Sequence, residues 1–230
     1  MTGENIMYIY PDLATCLVGR FTDGVMEEAR EARVEGVKWV EDILVVEVGE
    51  CKGPVFSYSP SNNKTLGVTW LQEDPFERDR VECSTSDISG AGTGLFARRT
   101  LPPGTYACFY HGLHFGACEK PSQTSYDYMI FLDWDKAPLS DYLDLMPETW
   151  CHTRYCATLG HKVNHSFSPN CQYTKFEHPR LGKSVLGIRT LVEVQQGEEL
   201  TCNYRYDVND APVWFSQIFA GEDSDDKDNK

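Results

Sequence analysis

Gly160-His161-Lys162-Val163-Asn164-His165-Ser166-Phe167-Ser168-Pro169-Asn170-Cys171 is the densest polar stretch of this 230-residue chain, and the fold turns on how it is read. His161 and His165 stand four apart, a spacing that puts two zinc ligands on one face of a helix. A zinc-protease helix would place a glutamate directly after the first histidine; here that residue is Lys162. Asn164, Ser166 and Pro169 favour a turn over a helix. No metal is therefore expected. Two readings stay open. Either the Asn and Ser side chains only cap their own backbone, or the turn grips a cofactor.

Two more clusters flank it. Gly197-Glu198-Glu199-Leu200-Thr201-Cys202-Asn203-Tyr204-Arg205-Tyr206-Asp207 carries tyrosines at i and i+2. On a strand they share one face, which serves either aromatic packing or a channel lined by two phenols. Gly90-Ala91-Gly92-Thr93-Gly94-Leu95-Phe96 is either a tight turn alone or a place where a ligand meets bare backbone. The remaining segments read as short strands over 6–10, 37–48, 55–58, 66–70, 105–110, 126–132, 172–176 and 184–190, the last two joined across 178–183. Helical signal is confined to 153–159, closed by Gly160, and to a segment near 214–219. The fold class is mainly β with short helices, a β-rich α+β arrangement.

Charge and composition narrow the function. Lys and Arg number 21 against 35 Asp and Glu, a net charge of −14. No basic stripe is present, so no direct contact with nucleic acid is expected. An acidic surface attracts basic peptides instead. No run approaches the ~18 apolar residues of a membrane span. The opening Met-Thr-Gly-Glu-Asn lacks the basic and apolar regions of a signal peptide. The expected location is intracellular, in nucleus, cytoplasm or both. The nine cysteines are odd in number and contain no C-x-x-C pair, which argues against both a disulfide framework and a zinc knuckle.

Taken together and in order, the three clusters resemble the SET-domain protein-lysine methyltransferases. The elements are Gly92-Thr93-Gly94-Leu95-Phe96-Ala97, then Asn164-His165-Ser166 with Pro169-Asn170-Cys171, then Gly197-Glu198-Glu199-Leu200-Thr201 with Tyr204. Within the family the chain is most similar to the histone-lysine monomethyltransferases that carry MORN-type repeats ahead of the SET domain. Tyr8-Ile9-Tyr10-Pro11-Asp12 and the segment 17–24 resemble the last hairpin strands of such repeats. The resemblance implies a MORN-like pre-SET β region over 1–75, a SET domain over 76–208, a short C-terminal segment over 209–220 and an acidic disordered tail over 221–230. It also implies a pseudoknot that threads Asn164-His165 against the Tyr204 strand, an exception to the rule that connections do not thread.

The implied cofactor is S-adenosylmethionine. The implied substrate is a lysine in a histone tail, or in another protein, most simply monomethylated by a monomeric enzyme. A lysine amine accepts a methyl group only when neutral, which costs about 5 kcal/mol at pH 7 for a free lysine. A dry channel lowers that cost by disfavouring the ammonium. The resemblance assigns Tyr204 and Tyr110 to catalysis, by orienting the amine. It assigns Tyr110, Tyr173, Tyr206, Tyr128 and His161 to the lysine channel. Ala91, Gly92, Thr93, Lys162, Asn164, His165 and Trp214 are assigned to the cofactor. Thr93 stands where the most similar branch has an acidic residue. That departure motivates the other reading, a catalytically weak SET relative that binds peptides as a scaffold.

Overall fold

The protein is described from a computed structural model, which covers residues 2–59, 65–120 and 127–206. Trp214, the expected helix near 214–219 and the expected segments 209–220 and 221–230 lie outside these residues. In chain order the strands are β1 (Gly3–Ile9), β2 (Thr15–Thr22), β3 (Val25–Val40), β4 (Ile43–Val48), β5 (Lys52–Ser57), β6 (Val81–Thr85), β7 (Thr93–Ala97), β8 (Tyr106–Tyr110), β9 (Leu113–Phe115), β10 (Ile130–Phe131), β11 (Tyr142–Asp144), β12 (Asn164–His165), β13 (Cys171–His178), β14 (Gly182–Thr190) and β15 (Glu199–Cys202). They form four small sheets. Among the described residues the helical segments are short 3-10 turns, at Trp134–Lys136, Pro147–Thr149 and Gly160–Lys162. None is long and apolar enough to cross a membrane.

The first sheet runs β1-β2-β3, with β4 and β5 sharing the far edge of β3 end to end. Residues 37–48 are not one strand as expected. Glu41 and Asp42 take φ of 49° and 63°, and Val40 pairs with Ile43 across them. Positive φ at both central residues makes a two-residue hairpin turn that matches strand twist. The charged pair Glu41-Asp42 interrupts the apolar runs on either side, but neither residue is the Gly or Asn that such a turn prefers, so the local mark is weak.

Three further expectations are corrected. Residues 66–70 form no strand: Gly67 takes φ +70°, which ends any extension, while Leu66 is buried and the Trp70 carbonyl accepts from Cys156 N and Ala157 N. Of the strand expected over 126–132, only Ile130–Phe131 is paired among the described residues. The helix expected over 153–159 is a set of turns, with Arg154 N and Tyr155 N both bonded to the Cys151 carbonyl. Gly160 opens a 3-10 turn there instead of closing a helix. A Cβ on Gly160 would sit 2.6 Å from the Phe109 carbonyl oxygen, so close backbone approach explains the glycine.

A buried polar cluster ties the first sheet to the β13–β14 hairpin. The Tyr10 hydroxyl donates to Asp74 Oδ2 at 2.9 Å, and His178 Nε2 and Arg180 Nη1 lie 3.3 and 3.4 Å from the same oxygen. The Arg180 guanidinium also donates to the Gln72 carbonyl and lies over the Phe56 ring. Phe76, Phe109, Leu181 and Val185 close the apolar shell around this cluster.

Candidate active site

β12 and β15 lie parallel, with Asn164 opposite Thr201 and His165 opposite Cys202. This pairing joins the two segments that the sequence expected to be threaded together. β15 then pairs antiparallel with β7, bringing Glu199 opposite Phe96. The Glu199 carboxylate is the hub of this corner. It accepts from Ser86 Oγ at 2.7 Å, Asp87 N at 2.9 Å and Asn164 Nδ2 at 2.9 Å. Asn164 Nδ2 also lies 3.3 Å from the Thr93 carbonyl. It lies 3.1 Å from Ser86 Oγ as well, so the Asn164 side chain is fixed from three directions.

Gly94 makes room for that hub. A Cβ there would meet Glu199 Oε1 at 2.2 Å and Asn164 Nδ2 at 3.3 Å. At Gly92 a Cβ would meet nothing within 4 Å, although its φ of +75° strains any other residue. Gly94→Ala is therefore expected to cost about 1–3 kcal/mol by overpacking against a charged neighbour, and to displace Asn164. Gly92→Ala carries only the backbone penalty of about 1–2 kcal/mol. Thermal melts of the two variants check this; a Gly94→Ala chain that melts with wild type would refute it.

The two tyrosines expected to share a strand face do not lie on a strand. β15 ends at Cys202, and Arg205, between them, takes φ 58°. They meet through His165 instead. Tyr204 N donates to His165 Nδ1 at 2.9 Å, and the imidazole lies edge-on to Phe167 and Tyr206 at 4.7 and 5.1 Å, with Tyr204 tilted at 5.4 Å. Since Nδ1 accepts, a neutral ring carries its proton on Nε2. Burial lowers the His165 pKa and favours that neutral state.

The tyrosines expected to line the lysine channel converge. The Tyr204 hydroxyl donates to the Val163 carbonyl. The Tyr110 hydroxyl, at the end of β8, donates to the Tyr128 carbonyl at 2.6 Å. Tyr173, on β13, has its ring 6.4 Å from those of both Tyr110 and Tyr204. Burial first, and neighbouring groups second, push the phenols of Tyr110, Tyr173 and Tyr204 up from their ordinary range, so they stay protonated. Lys162 Nζ donates to the Tyr128 hydroxyl at 3.3 Å. His161 is buried behind Tyr128, against Tyr128 and Tyr155 at 6.1 and 5.6 Å, and burial lowers its pKa to about 3. It is a neutral group packed against the Tyr128 and Tyr155 rings.

Among the described residues no group of three His, Cys, Asp or Glu side chains converges as metal ligands. Cys171 and Cys202 are fully buried free thiols in the apolar core. The structure thus gathers Tyr110, Tyr128, Tyr173, Tyr204, Tyr206, Lys162, Asn164 and His165, with the 91–93 turn leading into β7 beside them. Sequence reasoning missed Ser86 and the structural role of Glu199. Glu199 and Gly94 stood inside quoted motifs; Ser86 carried no signal of its own.

Residues 92–205 match the family model described as SET domain. The chain carries a SET domain. Residues 1–41 match a second model, described as Histone H3 K4-specific methyltransferase SET7 N-terminal. The SET-domain chain is 35% identical over 231 residues to "Histone-lysine N-methyltransferase SETD7" of Halocynthia roretzi, covering 94% of this chain and 57% of that protein. It is also 30% identical over 119 residues to "N-lysine methyltransferase KMT5A-A" of Danio rerio, covering 51% of this chain and 33% of that protein. The chain therefore spans little more than half the length of the first relative. A solved structure titled "ctPRC2 in an autoinhibited conformation bound to S-adenosylmethionine" aligns with 63% of this chain and 17% of its own, at 17% identity and a TM-score of 0.41, too remote to argue from.

Proposed function

We propose that this SET-domain protein transfers one methyl group from S-adenosylmethionine to the side-chain amine of a lysine in a histone tail or another basic protein segment. The observation that carries this reading is the polarity of the two phenols. Tyr204 and Tyr110 each spend their proton on a backbone carbonyl, of Val163 and Tyr128 respectively. Their oxygens can then only accept. A neutral lysine amine presents N–H donors and one lone pair, so two acceptors would hold its hydrogens and leave the lone pair free to attack. An ammonium has no lone pair to offer. The surrounding rings of Tyr173, Tyr206 and Tyr128 exclude water and favour the neutral amine. Tyrosine rather than phenylalanine at 110, 173, 204 and 206 supports monomethylation, since each hydroxyl takes up space that a further methyl group would need.

The residues present fit the cofactor. The 91–93 turn has open space beside Gly92, room for a ligand against bare backbone. The Lys162 ammonium, on a 3-10 turn packed against β7, has a neutral phenol as its hydrogen-bond partner and suits a carboxylate. Asn164 is held rigid by Ser86, Thr93 and Glu199, so its backbone is preorganised for an amino-acid end. When bound, S-adenosylmethionine supplies an electrophilic methyl on a sulfonium, and the reaction needs no covalent intermediate with the protein. The residues supply orientation, which is worth most when groups are fixed in advance. Action on basic protein segments is consistent with the net charge of −14; a monomer working in nucleus or cytoplasm is part of the proposal.

Calorimetry with S-adenosylmethionine, followed by mass spectrometry of a histone H3 N-terminal peptide, tests the reading. Wild type is expected to bind the cofactor saturably and to add a single methyl group. Asn164→Ala is expected to weaken cofactor binding by about tenfold or more, the scale of one lost charge-assisted or oriented contact. A folded chain that binds the peptide but not the cofactor would refute methyl transfer and leave the scaffold reading.

A further inference from the structure

Glu77 lies outside the tyrosine cluster and outside every motif the sequence offers. Its side chain is buried, at 1% exposure. Oε1 accepts from Phe109 N at 2.8 Å and Oε2 accepts from Leu159 N at 2.8 Å. These two donors belong to different segments of the site. Phe109 directly precedes Tyr110 on β8. Leu159 directly precedes the Gly160–Lys162 turn, which leads into Val163 and Asn164. The two segments also touch backbone to backbone, since a Cβ on Gly160 would come within 2.6 Å of the Phe109 carbonyl oxygen and 2.8 Å of Tyr110 N.

A carboxylate is well chosen for this place. It offers two acceptor oxygens and no donor when ionised. It is also costly for stability. Burial first, and the charge of Asp74 second, push the Glu77 carboxyl up from its ordinary range. An apolar residue would avoid that cost. What Glu77 provides is a fixed relation between two backbone segments whose next residues are Tyr110 on one side and Lys162, Val163 and Asn164 on the other.

We propose that Glu77 is a positioning residue that sets the distance between the Tyr110 phenol, which holds the lysine amine, and the turn that holds the cofactor. The inference rests on the methyl-transfer reading above. It separates binding from transfer, because each partner contacts one segment while the reaction needs both in register.

The test compares wild type, Glu77→Gln and Glu77→Asp. Glutamine keeps the size but turns one acceptor into an amide NH2 facing a backbone N–H. Aspartate keeps both acceptors on a stem one methylene shorter. Cofactor Kd by calorimetry, peptide KM and kcat with the histone H3 N-terminal peptide, and Tm are read for each. Glu77→Gln is expected to keep Kd and KM within about threefold while kcat falls roughly 10–100-fold, the scale of a small misplacement of reacting groups. Glu77→Asp is expected to recover part of that kcat. The inference is overturned if kcat of a folded Glu77→Gln chain stays within about twofold of wild type. It is equally overturned if both variants lose kcat, cofactor affinity and Tm together, which would assign Glu77 to stability alone. A wild-type chain that methylates nothing would remove the functional reading and this inference with it; an active wild type beside an unaffected Glu77→Gln would remove only the role of Glu77.

Discussion

Tyr204→Phe is expected to lower kcat by about two to three orders of magnitude, the loss seen when one preorganised hydrogen-bonding group is removed from a reacting centre. Peptide KM and cofactor Kd should change by only a few-fold, because the ring and its packing remain. The argument lies in the direction of the hydrogen bonds. The Tyr204 proton is committed to the Val163 carbonyl, so its oxygen is left as an acceptor. Phenylalanine removes that acceptor and leaves the carbonyl unpaired, which adds a stability cost of about 1–3 kcal/mol. Tyr206→Phe is the matched control. Tyr206 packs on the His165 ring through its face and edge, and phenylalanine keeps that packing. Its kcat should stay within about threefold of wild type if packing is the whole of its role. Burial keeps the Tyr204 phenol protonated, so the rise of activity with pH should track the lysine amine and not a tyrosinate. Steady-state kinetics by mass spectrometry decide the matter. A Tyr204→Phe chain with half of wild-type kcat would leave Tyr204 without the proposed role.

Much of the fold was legible because local patterns carry it. The β13–β14 hairpin was expected from strand signals at 172–176 and 184–190 joined across 178–183, and the structure pairs Cys171–His178 with Gly182–Thr190. The Gly90–Gly94 cluster read as a turn, and in the structure it leads into β7, which starts at Thr93. What failed were places where tertiary contact overrides local signal. The Glu41-Asp42 turn lacks the Gly or Asn that usually marks such a turn. Gly160 looked like a helix end, yet its smallness serves contact with the Phe109 backbone. The segment 66–70 has strand composition but is spent on burying Leu66 and on bonding Cys156 and Ala157.

The site divides in the same way. Asn164, His165 and Tyr204 were legible because they stand in dense motifs. Their supports were not. Ser86 reaches Glu199 across 113 residues of chain, and Glu77 reaches Leu159 across 82. A lone serine or glutamate has no periodicity to reveal such a partner. The tyrosine pair was placed in the right neighbourhood for the wrong reason. An i, i+2 spacing predicts one strand face, but the left-handed backbone at Arg205 brings both rings to His165 by another route.

The largest stability effect is expected at Asp74. Asp74→Ala should destabilise the fold by about 3–5 kcal/mol, because it strands a buried cation without its partner. For a chain of this size that corresponds to a Tm drop on the order of 10 °C. Asp74 has no exposure, and Tyr10, His178 and Arg180 all converge on one of its oxygens. Burial alone would push its carboxyl up, but His178, Arg180 and Tyr10 more than offset that and hold it below its ordinary range. A lowered carboxyl pKa contributes stability that is complete above about pH 4 and is lost as pH falls through the folded value. His178 acts in the same direction. Burial lowers its pKa despite Asp74, so protonation of the unfolded chain below about pH 6.5 draws the equilibrium away from the fold. The buried His111 and His161, lowered to about 3, add to this. Glu77, whose carboxyl is pushed up, opposes it. His165, also lowered by burial, acts the same way, and four histidines against one glutamate give a net loss of stability between pH 7 and 5. Asp74→Asn is the informative companion, since it keeps an acceptor for Tyr10 and Arg180 and should lose less than alanine. Thermal and denaturant melts of the three chains at pH 7.5 and 5 check all of this. An Asp74→Ala chain that melts within about 2 °C of wild type, less than the shift of a single kcal/mol, would mean that the cluster is a passenger in the fold and not the tie between the N-terminal sheet and the hairpin carrying Tyr173.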